Sequence, residues 1–473
     1  PALAAAIERG RPVVPFFVHD DDEARAGAAS RWWLHQSLAA LDASLRARGS
    51  RLVLRAGSAA EAIDSLLAQT NADAVYWNRR HEPAAAARER AVATELRGRG
   101  VDCRSYNASL LAEPWTIRAS GGDGYRVFTP FWRALRANDP PAPSQWLPDA
   151  IATPDRPLAS EPLASPRSGA ASGAAEFAGC WTPGEAGALD RLHAFIGSDL
   201  ARYGQCRDQP AAEATSRLSA HLHFGDIGPR QVWHAAVAAA AEGRAQPSDV
   251  ERFLSELGWR EFAYHLLHQF PNLAEVPVRP EFERFEWIGD AAALRTWQQG
   301  LTGYPIVDAG MRQLLQTGWM HNRVRMIAAS FLTKHLRIDW RDGQSWFRQR
   351  LVDADLANNA LGWQWVAGCG ADAAPFFRIF NPTLQAERFD ADGSYVRRWV
   401  PELRALPAPA IHAPWAARPA DLAAAGIRLG ADYPWPMVDH ASARQQALDA
   451  YRRMRSGAPA AVRARGAHQG GSA

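Results

Sequence analysis

The basic residues of this chain include almost no lysine. Lys334 is the only lysine among 53 basic residues, so nearly all of the positive charge is carried by arginine. Arginine suits bidentate phosphate contacts and stacking on aromatic rings. A GC-rich genome produces the same bias and is the simpler explanation. The net charge of +3 does not by itself indicate a polyanionic partner.

Cysteines and long apolar runs are also scarce. The four cysteines, Cys103, Cys180, Cys206 and Cys369, are far apart and show no C-x-x-C spacing, so neither a disulfide framework nor a zinc site is predicted. No apolar run reaches the ~18 residues that a membrane span requires. The first ten residues also lack the layout of a signal peptide. We therefore expect free thiols, no metal, no membrane contact and a cytoplasmic location.

Tryptophan, by contrast, is abundant. The 473 residues include 19 tryptophans, and the hydrophobic fraction of 47% supports a sizeable core. Leucine and valine can fill a core, whereas indole adds a stacking face, a hydrogen-bond donor and an oxidisable ring. The tryptophans are therefore candidates for more than packing.

Apolar runs alternate with helical stretches in the first hundred residues. The runs cover 13–18, 51–54 and 74–77, and the helical stretches cover 31–48, 58–69 and 84–97. This alternation is typical of βαβ units around a parallel sheet, and predicts an α/β domain over residues 1–118.

The remainder of the chain has a different pattern. Residues 140–179 are rich in Pro, Ala, Ser and Gly, which predicts an interdomain linker over 119–184. Helix stops without strand alternation predict an all-α domain over 185–455. The small, basic and unpatterned residues 456–473 predict a disordered tail. The fold class is thus α/β plus all-α.

Two segments of the helical part combine phosphate-binding and stacking groups. The hydroxyl segment, Thr215 to Ser219, places hydroxyls and a guanidinium before a helical run, where a phosphate can bind or where an ordinary N-cap can form. The acid–indole segment, Glu256 to Arg260, places an acid, an indole and a guanidinium on one helical face. A plain surface ion pair beside a half-buried Trp explains the second segment equally well.

Two further segments are richer in polar groups. The arginine segment, Trp319 to Met326, carries two arginines, an amide and a thioether, and is also explained by an amphipathic helix. His321 is given no functional role. The Asp-Asn segment, Asp353 to Trp365, places carboxylates and amides beside two tryptophans, which suits the edge of a polar heterocycle. Ala357 and Asn358 stand where an EF-hand calcium loop requires a ligand and a glycine, so calcium is not predicted.

These four segments, with Gly303 to Ala309 (GYPIVDA) and Arg378 to Pro382 (RIFNP) in the expected order, resemble the photolyase and cryptochrome family. The resemblance runs from about Pro12 to Leu403 and is closest to class I enzymes for cyclobutane pyrimidine dimers. It implies an α/β antenna domain joined by a long linker to a helical domain that binds FAD.

The resemblance assigns an FAD site. The implied cofactor-binding residues are Tyr203, Thr215, Ser216, Arg217, Leu218, Ser219, Arg325, Asp353, Ala354, Asp355 and Asn359. Among them, Arg325 and Asp353 match an ion pair over the flavin, whereas Asp355 and Asn359 match contacts at the isoalloxazine edge. Plant-type cryptochromes carry an acid at the position of Asn359, so this amide resembles the repair enzymes.

The resemblance also implies light-driven repair of UV-damaged DNA by electron transfer from excited, reduced FAD to a flipped-out dimer. The implied catalytic residues are Glu256, Asn322, Met326 and Asn359, and the implied DNA-binding residues are Glu256, Trp259, Arg260, Asn322, Arg323, Trp365 and Arg378. Trp259 and Trp365 match the two indoles that enclose the dimer. Met326 matches a group typical of the enzymes for cyclobutane dimers.

Three further tryptophans match the family's electron-transfer chain from the flavin to the surface. They are Trp363, Trp340 and Trp287. Any one of them is more commonly a core residue, but all three coincide with the pattern. We expect them to deliver electrons to oxidised flavin under light.

The antenna is the least defined part. Folate-binding relatives use an Asn-Glu pair where this chain has Ala84 and Ala85. A methenyltetrahydrofolate held differently, a deazaflavin, or no second chromophore remain open, in that order of preference. The family's opening strand is also absent, so we expect a sheet that lacks a central strand and leaves backbone groups unpaired.

Two other functions remain open. A cryptochrome-like photoreceptor would bind flavin without repairing DNA, although Trp259, Trp365 and Asn359 argue against it. A flavin-free, arginine-rich protein would bind nucleic acid nonspecifically, and would be colourless when purified. The preferred hypothesis predicts a monomer with no obligate protein partner.

Overall fold

The computed structural model describes most of the chain. The described residues are 1–20, 26–119, 121–138, 142, 148–163, 179–373 and 378–457. The predicted tail lies largely outside them, as does the central part of the predicted linker.

The first part of the chain alternates strands and helices, as its apolar runs predict. Its elements are α1 (Ala2–Glu8), β1 (Phe16–His19), α2 (Ala28–Arg46), β2 (Val53–Ala56), α3 (Ala59–Thr70), β3 (Ala74–Asn78), α4 (Pro83–Gly98) and β4 (Asp102–Tyr106). The predicted helices are confirmed within a few residues. The first strand begins later than predicted because Pro12 and Pro15 have no N–H group to donate to a neighbouring strand.

The strands form two separate parallel pairs within the described residues, not the single sheet that the alternation predicts. β1 pairs with β2, with Phe16 opposite Val53, and β3 pairs with β4, with Ala74 opposite Asp102. A cavity of about 2370 Å³ is lined by residues of both β1 and β3. α1 lies beside β3, where the backbone N–H of Ala2 donates to the Asn78 side chain at 3.1 Å.

Part of the predicted linker packs along the first sheet. The backbone N–H of Leu54 in β2 donates to Ser160 Oγ at 2.9 Å, and the N–H of Glu161 donates to the Leu54 carbonyl at 3.1 Å. This segment therefore satisfies backbone groups on the edge of β2 that faces away from β1.

The rest of the described chain is helical, as predicted, and no strand follows β4 in it. Its α-helices are α5 (Phe128–Arg136), α6 (Glu185–Ala194), α7 (Tyr203–Cys206), α8 (Ser219–Phe224), α9 (Pro229–Ala241), α10 (Pro247–Gln269), α11 (Ala291–Gln299), α12 (Pro305–Thr317), α13 (Asn322–Ser330), α14 (Trp340–Arg350), α15 (Leu356–Ala367), α16 (Pro382–Phe389), α17 (Ser394–Trp399), α18 (Ala408–Ile411), α19 (Pro419–Ala425) and α20 (His440–Ser456). π-helical turns extend α6 over Phe195–Asp199 and α13 over Phe331–His335.

Two helices run through the middle of this helical part. The first half of α10 packs in one buried cluster through Phe253 and Leu257, and its second half packs in another through Phe262. α15 joins that second cluster through Ala360 and contributes Trp363 to the large carboxy-terminal core. The acid–indole segment and most of the Asp-Asn segment therefore lie on well-packed helices.

The segment between β4 and α5 is fixed onto α10 by buried polar groups. Glu261 Oε2 accepts the backbone N–H groups of Leu111 and Ala112, at 2.9 and 3.3 Å. Burial raises the pKa of Glu261 to about 7. His265 accepts the Tyr125 N–H through Nε2 at 2.9 Å. These contacts fix the connection between the α/β and helical parts.

A mid-helix glycine lets α5 approach α10. A Cβ at Gly258 would lie 2.6 Å from Cζ3 of Trp132. Phe128, also in α5, stacks against Trp259 of α10, with ring centroids 3.8 Å apart and planes at 9°. Phe128 also lies nearly parallel to Trp132, at 6.2 Å and 10°. The close approach at Gly258 thus sets the position of the Trp259 indole.

This packing predicts that Gly258→Ala destabilises the protein. Alanine in a helix gains about 1 kcal/mol over glycine, but overpacking against a rigid indole costs about 1–3 kcal/mol. We expect a lower thermal midpoint by circular dichroism. Gly362→Ala in α15 is the matched control, because no atom lies within 4 Å of its added Cβ. Gly362→Ala should have a higher thermal midpoint than the parent. A thermal midpoint for Gly258→Ala at or above that of Gly362→Ala would contradict the packing described for α5.

Candidate cofactor and DNA site

The Asp-Asn segment begins with a buried carboxylate that joins two other segments. Asp353 Oδ2 accepts the Ser219 hydroxyl at 2.6 Å and Arg325 Nη2 at 2.8 Å. The Asp353 side chain is 3% exposed. Arg325 also donates through Nε to the Met320 carbonyl at 2.7 Å. The predicted Arg325–Asp353 ion pair is therefore present, with a hydrogen bond from the hydroxyl segment added to it.

A second buried carboxylate follows two residues later and caps α15. Asp355 Oδ1 accepts the backbone N–H and the side-chain amide of Asn358, both at 2.8 Å. Its Oδ2 accepts the Tyr264 hydroxyl of α10, and His223 Nδ1 lies 3.7 Å away. Burial alone would raise the pKa of Asp355, but hydrogen bonding and the charges of His223 and Arg260 lower it below the ordinary value. Asp355 is therefore ionised.

Sequence reasoning missed Tyr264 and His223, although spacing could have indicated them. Tyr264 follows Glu256 and Arg260 at intervals of four residues, and His223 follows Ser219 by four. Residues four apart share a helical face. A hydroxyl and an imidazole on the faces already singled out were therefore detectable candidates.

The hydroxyl segment contains buried polar atoms without a protein partner. Thr215 Oγ1 and Arg217 Nε are buried and accept or donate no hydrogen bond among the described residues. Arg217 has φ +51°, a backbone conformation that costs energy in a non-glycine residue. Its guanidinium lies 4.8 Å from the Trp319 ring centroid. Ser216 Oγ accepts the Leu218 N–H at 3.4 Å. Unpaired buried groups at a strained turn are typical of a ligand site.

Tyr203 lies in an aromatic pocket beside this segment. Its ring packs edge-on against Phe195 at 5.7 Å and Phe253 at 5.5 Å, and the Arg207 guanidinium lies 5.3 Å from its centroid. Burial raises the pKa of the phenol above its ordinary value, so Tyr203 is a neutral hydrogen-bonding group.

Two adjacent residues join the acid–indole segment to the arginine segment. Arg207 Nη1 pairs with Glu256 Oε1 at 2.6 Å, and Asp208 Oδ1 pairs with Arg323 Nη2 at 2.9 Å. Arg323 Nη1 lies 3.9 Å from Met326 Sδ. Neither Arg207 nor Asp208 was singled out from the sequence. They connect α10 to α13 through Glu256 and Arg323. The surface around this connection, which also carries Trp259, Asn322 and Met326, is called the rim below.

His321, which had been given no role, caps the helix that carries this rim. Its Nδ1 accepts the Arg323 N–H at 3.2 Å. Burial lowers the pKa of His321 to about 4, which keeps the ring neutral and able to accept. The cap sets the start of α13, so Asn322 is exposed and Met326 half-buried on the following turn.

The predicted DNA-contacting tryptophans are half-buried. Trp259 has one face covered by Phe128, as described above. Trp365 and Arg378 line the same small pocket at the end of α15, and the Arg378 guanidinium lies 5.1 Å from the Phe380 ring centroid. Both indoles are therefore held in place with part of their surface accessible.

Arg260 is not placed as expected for a phosphate contact. Its Nη1 donates to the Ser109 carbonyl at 2.6 Å and its Nη2 to the Leu222 carbonyl at 3.3 Å. The side chain is 11% exposed. It points into the protein, where it donates to these two carbonyls. Glu256 and Trp259 lie on the rim. Its role at DNA stays a prediction that this geometry does not favour.

The three tryptophans of the predicted electron-transfer chain belong to one packed region. Trp363 and Trp340 are 2% and 1% exposed, whereas Trp287 is half-buried against the same core. A Cβ at Gly343, in the helix that begins with Trp340, would clash with the Trp363 ring. The Ile288 N–H donates to the Arg337 carbonyl at 2.6 Å, which joins the Trp287 loop to the start of that helix. Of these three tryptophans, Trp287 is therefore the most exposed to solvent.

Ala354 and Asn359 complete the predicted flavin contacts. Both line the large cavity that also reaches β1 and β3. Asn359 Nδ2 donates to the Gln344 carbonyl at 3.1 Å, which leaves its side-chain oxygen directed elsewhere. The Asn359 amide is therefore oriented by α14.

Comparisons with known proteins show the family to which the chain belongs. Residues 1–148 match the DNA photolyase family model, and residues 253–453 match the FAD binding domain of DNA photolyase. A deoxyribodipyrimidine photo-lyase of Agrobacterium fabrum is 50% identical over 95% of this chain and 94% of its own. The chain belongs to the DNA photolyase family. The predicted fold, photo-lyase enzyme class and FAD cofactor are thereby confirmed at the level of this family, whereas the individual site residues stay predictions.

Other relatives qualify the predicted subclass. A class III photolyase structure from Agrobacterium tumefaciens is 49% identical, with a TM-score of 0.92 over 96% of this chain and 94% of that one. Cryptochrome-1 of Arabidopsis thaliana is 39% identical over 94% of this chain and 67% of its own. The expectation of a class I enzyme is therefore not confirmed.

The described residues provide no three-residue cluster of His, Cys, Asp or Glu arranged for a metal ion. Searched over the same residues, no helix has the length and hydropathy to cross a membrane. The four cysteines are free thiols, as expected.

The residues present fit FAD. Among the described residues, Thr215 Oγ1 and Arg217 Nε of the hydroxyl segment have no hydrogen-bond partner, and Asp353 Oδ1 is buried without a donor. A phosphate-and-sugar chain supplies acceptors for the first pair, and hydroxyl or ring N–H groups supply donors for the carboxylates. Buried polar atoms of native proteins have hydrogen-bond partners, so a polar ligand along this line accounts for the unpaired ones.

We predict that Asp353→Asn weakens FAD binding and destabilises the flavin-free protein. The variant removes the charge that pairs with Arg325, and leaving a buried donor poorly matched costs about 1–3 kcal/mol. We would measure the ratio of flavin absorbance to protein absorbance and the thermal midpoint of the flavin-free protein. Asp421→Asn is the control, because it removes the exposed pair with Arg418 at 2.7 Å. Equal effects of the two variants would contradict the role of Asp353.

Proposed function

We propose that this protein repairs cyclobutane pyrimidine dimers in DNA with light, using FAD. One observation carries the proposal. The four polar segments are distant in sequence. Hydrogen bonds join Asp353 to Ser219 and Arg325, and Asp355 to Tyr264. Arg207 and Asp208 connect α10 to α13 through their ion pairs with Glu256 and Arg323. Such convergence of charged and aromatic groups supports a single reaction site.

FAD would be held by Tyr203, by the hydroxyl segment and by the two buried carboxylates. The chemistry that bound, reduced FAD would supply on excitation is the transfer of one electron to the dimer, and the electron would return to the flavin after the two carbon–carbon bonds between the pyrimidines have broken. The reaction therefore needs no further oxidant or reductant. The protein binds the dimer, excludes water and stabilises the transient negative charge.

Residues on the rim would handle the dimer. Trp259 presents its open indole face for stacking, because Phe128 covers the other face. Trp365 offers the second stacking surface. Glu256 and Asn322 would hydrogen-bond the pyrimidine carbonyls, with Arg207 fixing the carboxylate of Glu256. Met326 would contact the cyclobutane ring.

Lesion selectivity follows from the cost of extrusion. The dimer must leave the duplex to reach a recessed site, at a cost of a few kcal/mol that is smallest for damaged bases, which stack and pair poorly. Arg323 and Arg378 would contact the phosphates around the lesion, which positions the DNA without reading its sequence. The proposal includes a monomeric, cytoplasmic protein with the domain limits given above.

A second chromophore is part of the proposal. Besides the predicted flavin contacts Ala354 and Asn359, the large cavity is lined by residues of both sheets, including Arg104, and by Arg230. Arginines there suit the glutamate carboxylates of a methenyltetrahydrofolate. Ala85, where folate-binding relatives carry a polar contact, is 2% exposed in α4. A folate would therefore bind through other residues. Deazaflavin, or no antenna, comes next in preference.

The test is light-dependent loss of cyclobutane dimers from UV-irradiated oligothymidylate, with the protein carrying chemically reduced FAD. We expect repair in the light and none in the dark. No repair in either sample, with flavin bound, would overturn the proposal in favour of a photoreceptor or another lesion.

A pair of variants makes the repair test specific to the rim. Stacking on an aromatic side chain contributes about 1–3 kcal/mol per base, so Trp259→Ala should lower dimer affinity by about fivefold or more. Trp435→Ala is the control, since Trp435 is 56% exposed and belongs to none of the four segments. Equal affinities for both variants would exclude Trp259 from the dimer site.

A separate prediction concerns the tryptophan chain. Trp340→Phe should block light-driven reduction of oxidised flavin by a thiol in solution, because phenylalanine is much harder to oxidise than indole. Repair by chemically reduced enzyme should remain unchanged. The change in flavin absorbance under blue light measures photoreduction. Unchanged photoreduction in the variant would refute the role of Trp340 in electron transfer.

A further inference from the structure

Tyr264 is a fully buried tyrosine whose hydroxyl contacts the candidate flavin site. It is 5% exposed, and its hydroxyl donates to Oδ2 of Asp355, which is also 5% exposed. Burial raises the pKa of Tyr264 well above its ordinary value, so the phenol keeps its proton and acts as a donor.

The Tyr264 ring cannot easily rotate away from this contact. The Arg260 guanidinium lies 5.4 Å from its centroid. The His81 ring, from the loop after β3, packs against it edge-on at 6.0 Å and 72°. Arg260 in turn is fixed by two backbone carbonyls, as described above. Tyr264 is thus clamped by groups from both the α/β and the helical parts.

Both oxygens of Asp355 are occupied on the protein side. Oδ1 faces the Asn358 donors, and Oδ2 faces Tyr264 and His223. Donors on both oxygens fix the plane of the carboxylate and favour its ionised form. The charged groups around the pair are His223, Arg260 and, towards Tyr264, Glu82.

We propose that Tyr264 is a positioning residue that holds Asp355 ionised and correctly oriented at the flavin edge, and thereby sets the flavin's midpoint potential. The inference rests on the proposed contact between Asp355 and the flavin. A fixed negative charge there disfavours the addition of electrons to the ring system. Loss of the tyrosine hydroxyl would let Asp355 take up a proton more readily.

The experiment measures the flavin midpoint potential against pH for Tyr264→Phe and for the parent. Without the phenol donor the pKa of Asp355 rises, so Asp355 in the variant loses its charge at a higher pH than in the parent. The variant's potential should therefore exceed the parent's, by more as the pH falls. FAD binding to the flavin-free protein should weaken about tenfold or less, as expected for one hydrogen bond.

Tyr433→Phe is the matched control. Tyr433 is likewise buried, and its hydroxyl donates to the buried Asp308 at 2.6 Å. This variant makes the same chemical change away from the four segments, and should leave the potential and its pH profile unchanged. A shift as large as that of Tyr264→Phe would overturn the inference.

Two further arms keep the test decisive. Incorporation of 2,3-difluorotyrosine at position 264 keeps the side-chain shape and the phenol donor, so the potential and its pH profile should stay close to those of the parent and not follow those of Tyr264→Phe. Asp355→Asn should raise the potential and remove the effect of Tyr264→Phe in the double variant. If Asp355→Asn leaves the potential unchanged, the proposed flavin contact is wrong. If Asp355→Asn shifts the potential but Tyr264→Phe does not, or if 2,3-difluorotyrosine shifts it as much as Tyr264→Phe does, only the role of Tyr264 is wrong.

Discussion

The structure depends on two buried carboxylates at the start of α15. Asp353 and Asp355 are separated by one residue and, as whole residues, are 8% and 5% exposed. A buried charge is costly unless donors surround it. Those donors come from α8, α10 and α13, which carry Ser219, Tyr264 and Arg325. These donors reach the carboxylates only when the three helices come together, so the two carboxylates fix the geometry that the proposed reaction needs.

The same helix links the proposed flavin edge to the proposed electron and DNA contacts. Asn359 lies one turn into α15, and Trp363 and Trp365 lie on its last turns. The carboxy-terminal end of α15 is also held, because Lys334 donates to the Ala367 carbonyl at 2.8 Å. Burial lowers the pKa of Lys334 well below its ordinary value. The only lysine of the chain thus has a structural position at the far end of the key helix.

Much of the fold could be predicted from local sequence patterns. The alternation of apolar runs and helical stretches gave the α/β part, and helix stops gave the helical part. The polar segments were visible because each concentrates unusual residue types within a few positions. Asp353 and Arg325 could be paired only through resemblance to a family, since 28 residues separate them.

What the sequence could not show depends on contacts between distant residues. Nothing local distinguishes Arg260, which bonds carbonyls 151 and 38 residues away, from an arginine that faces solvent. Phe128 stacks on Trp259, and Arg207 pairs with Glu256, only because helices pack in three dimensions. The separation of the strands into two pairs is likewise a tertiary outcome.

The most direct measurement is a crystal structure of the protein grown with FAD. The account predicts the isoalloxazine edge within about 3 Å of the Asp355 carboxylate, a normal hydrogen-bond distance. It also predicts the phosphates beside Thr215 and Ser216. A flavin bound away from both carboxylates would contradict the account.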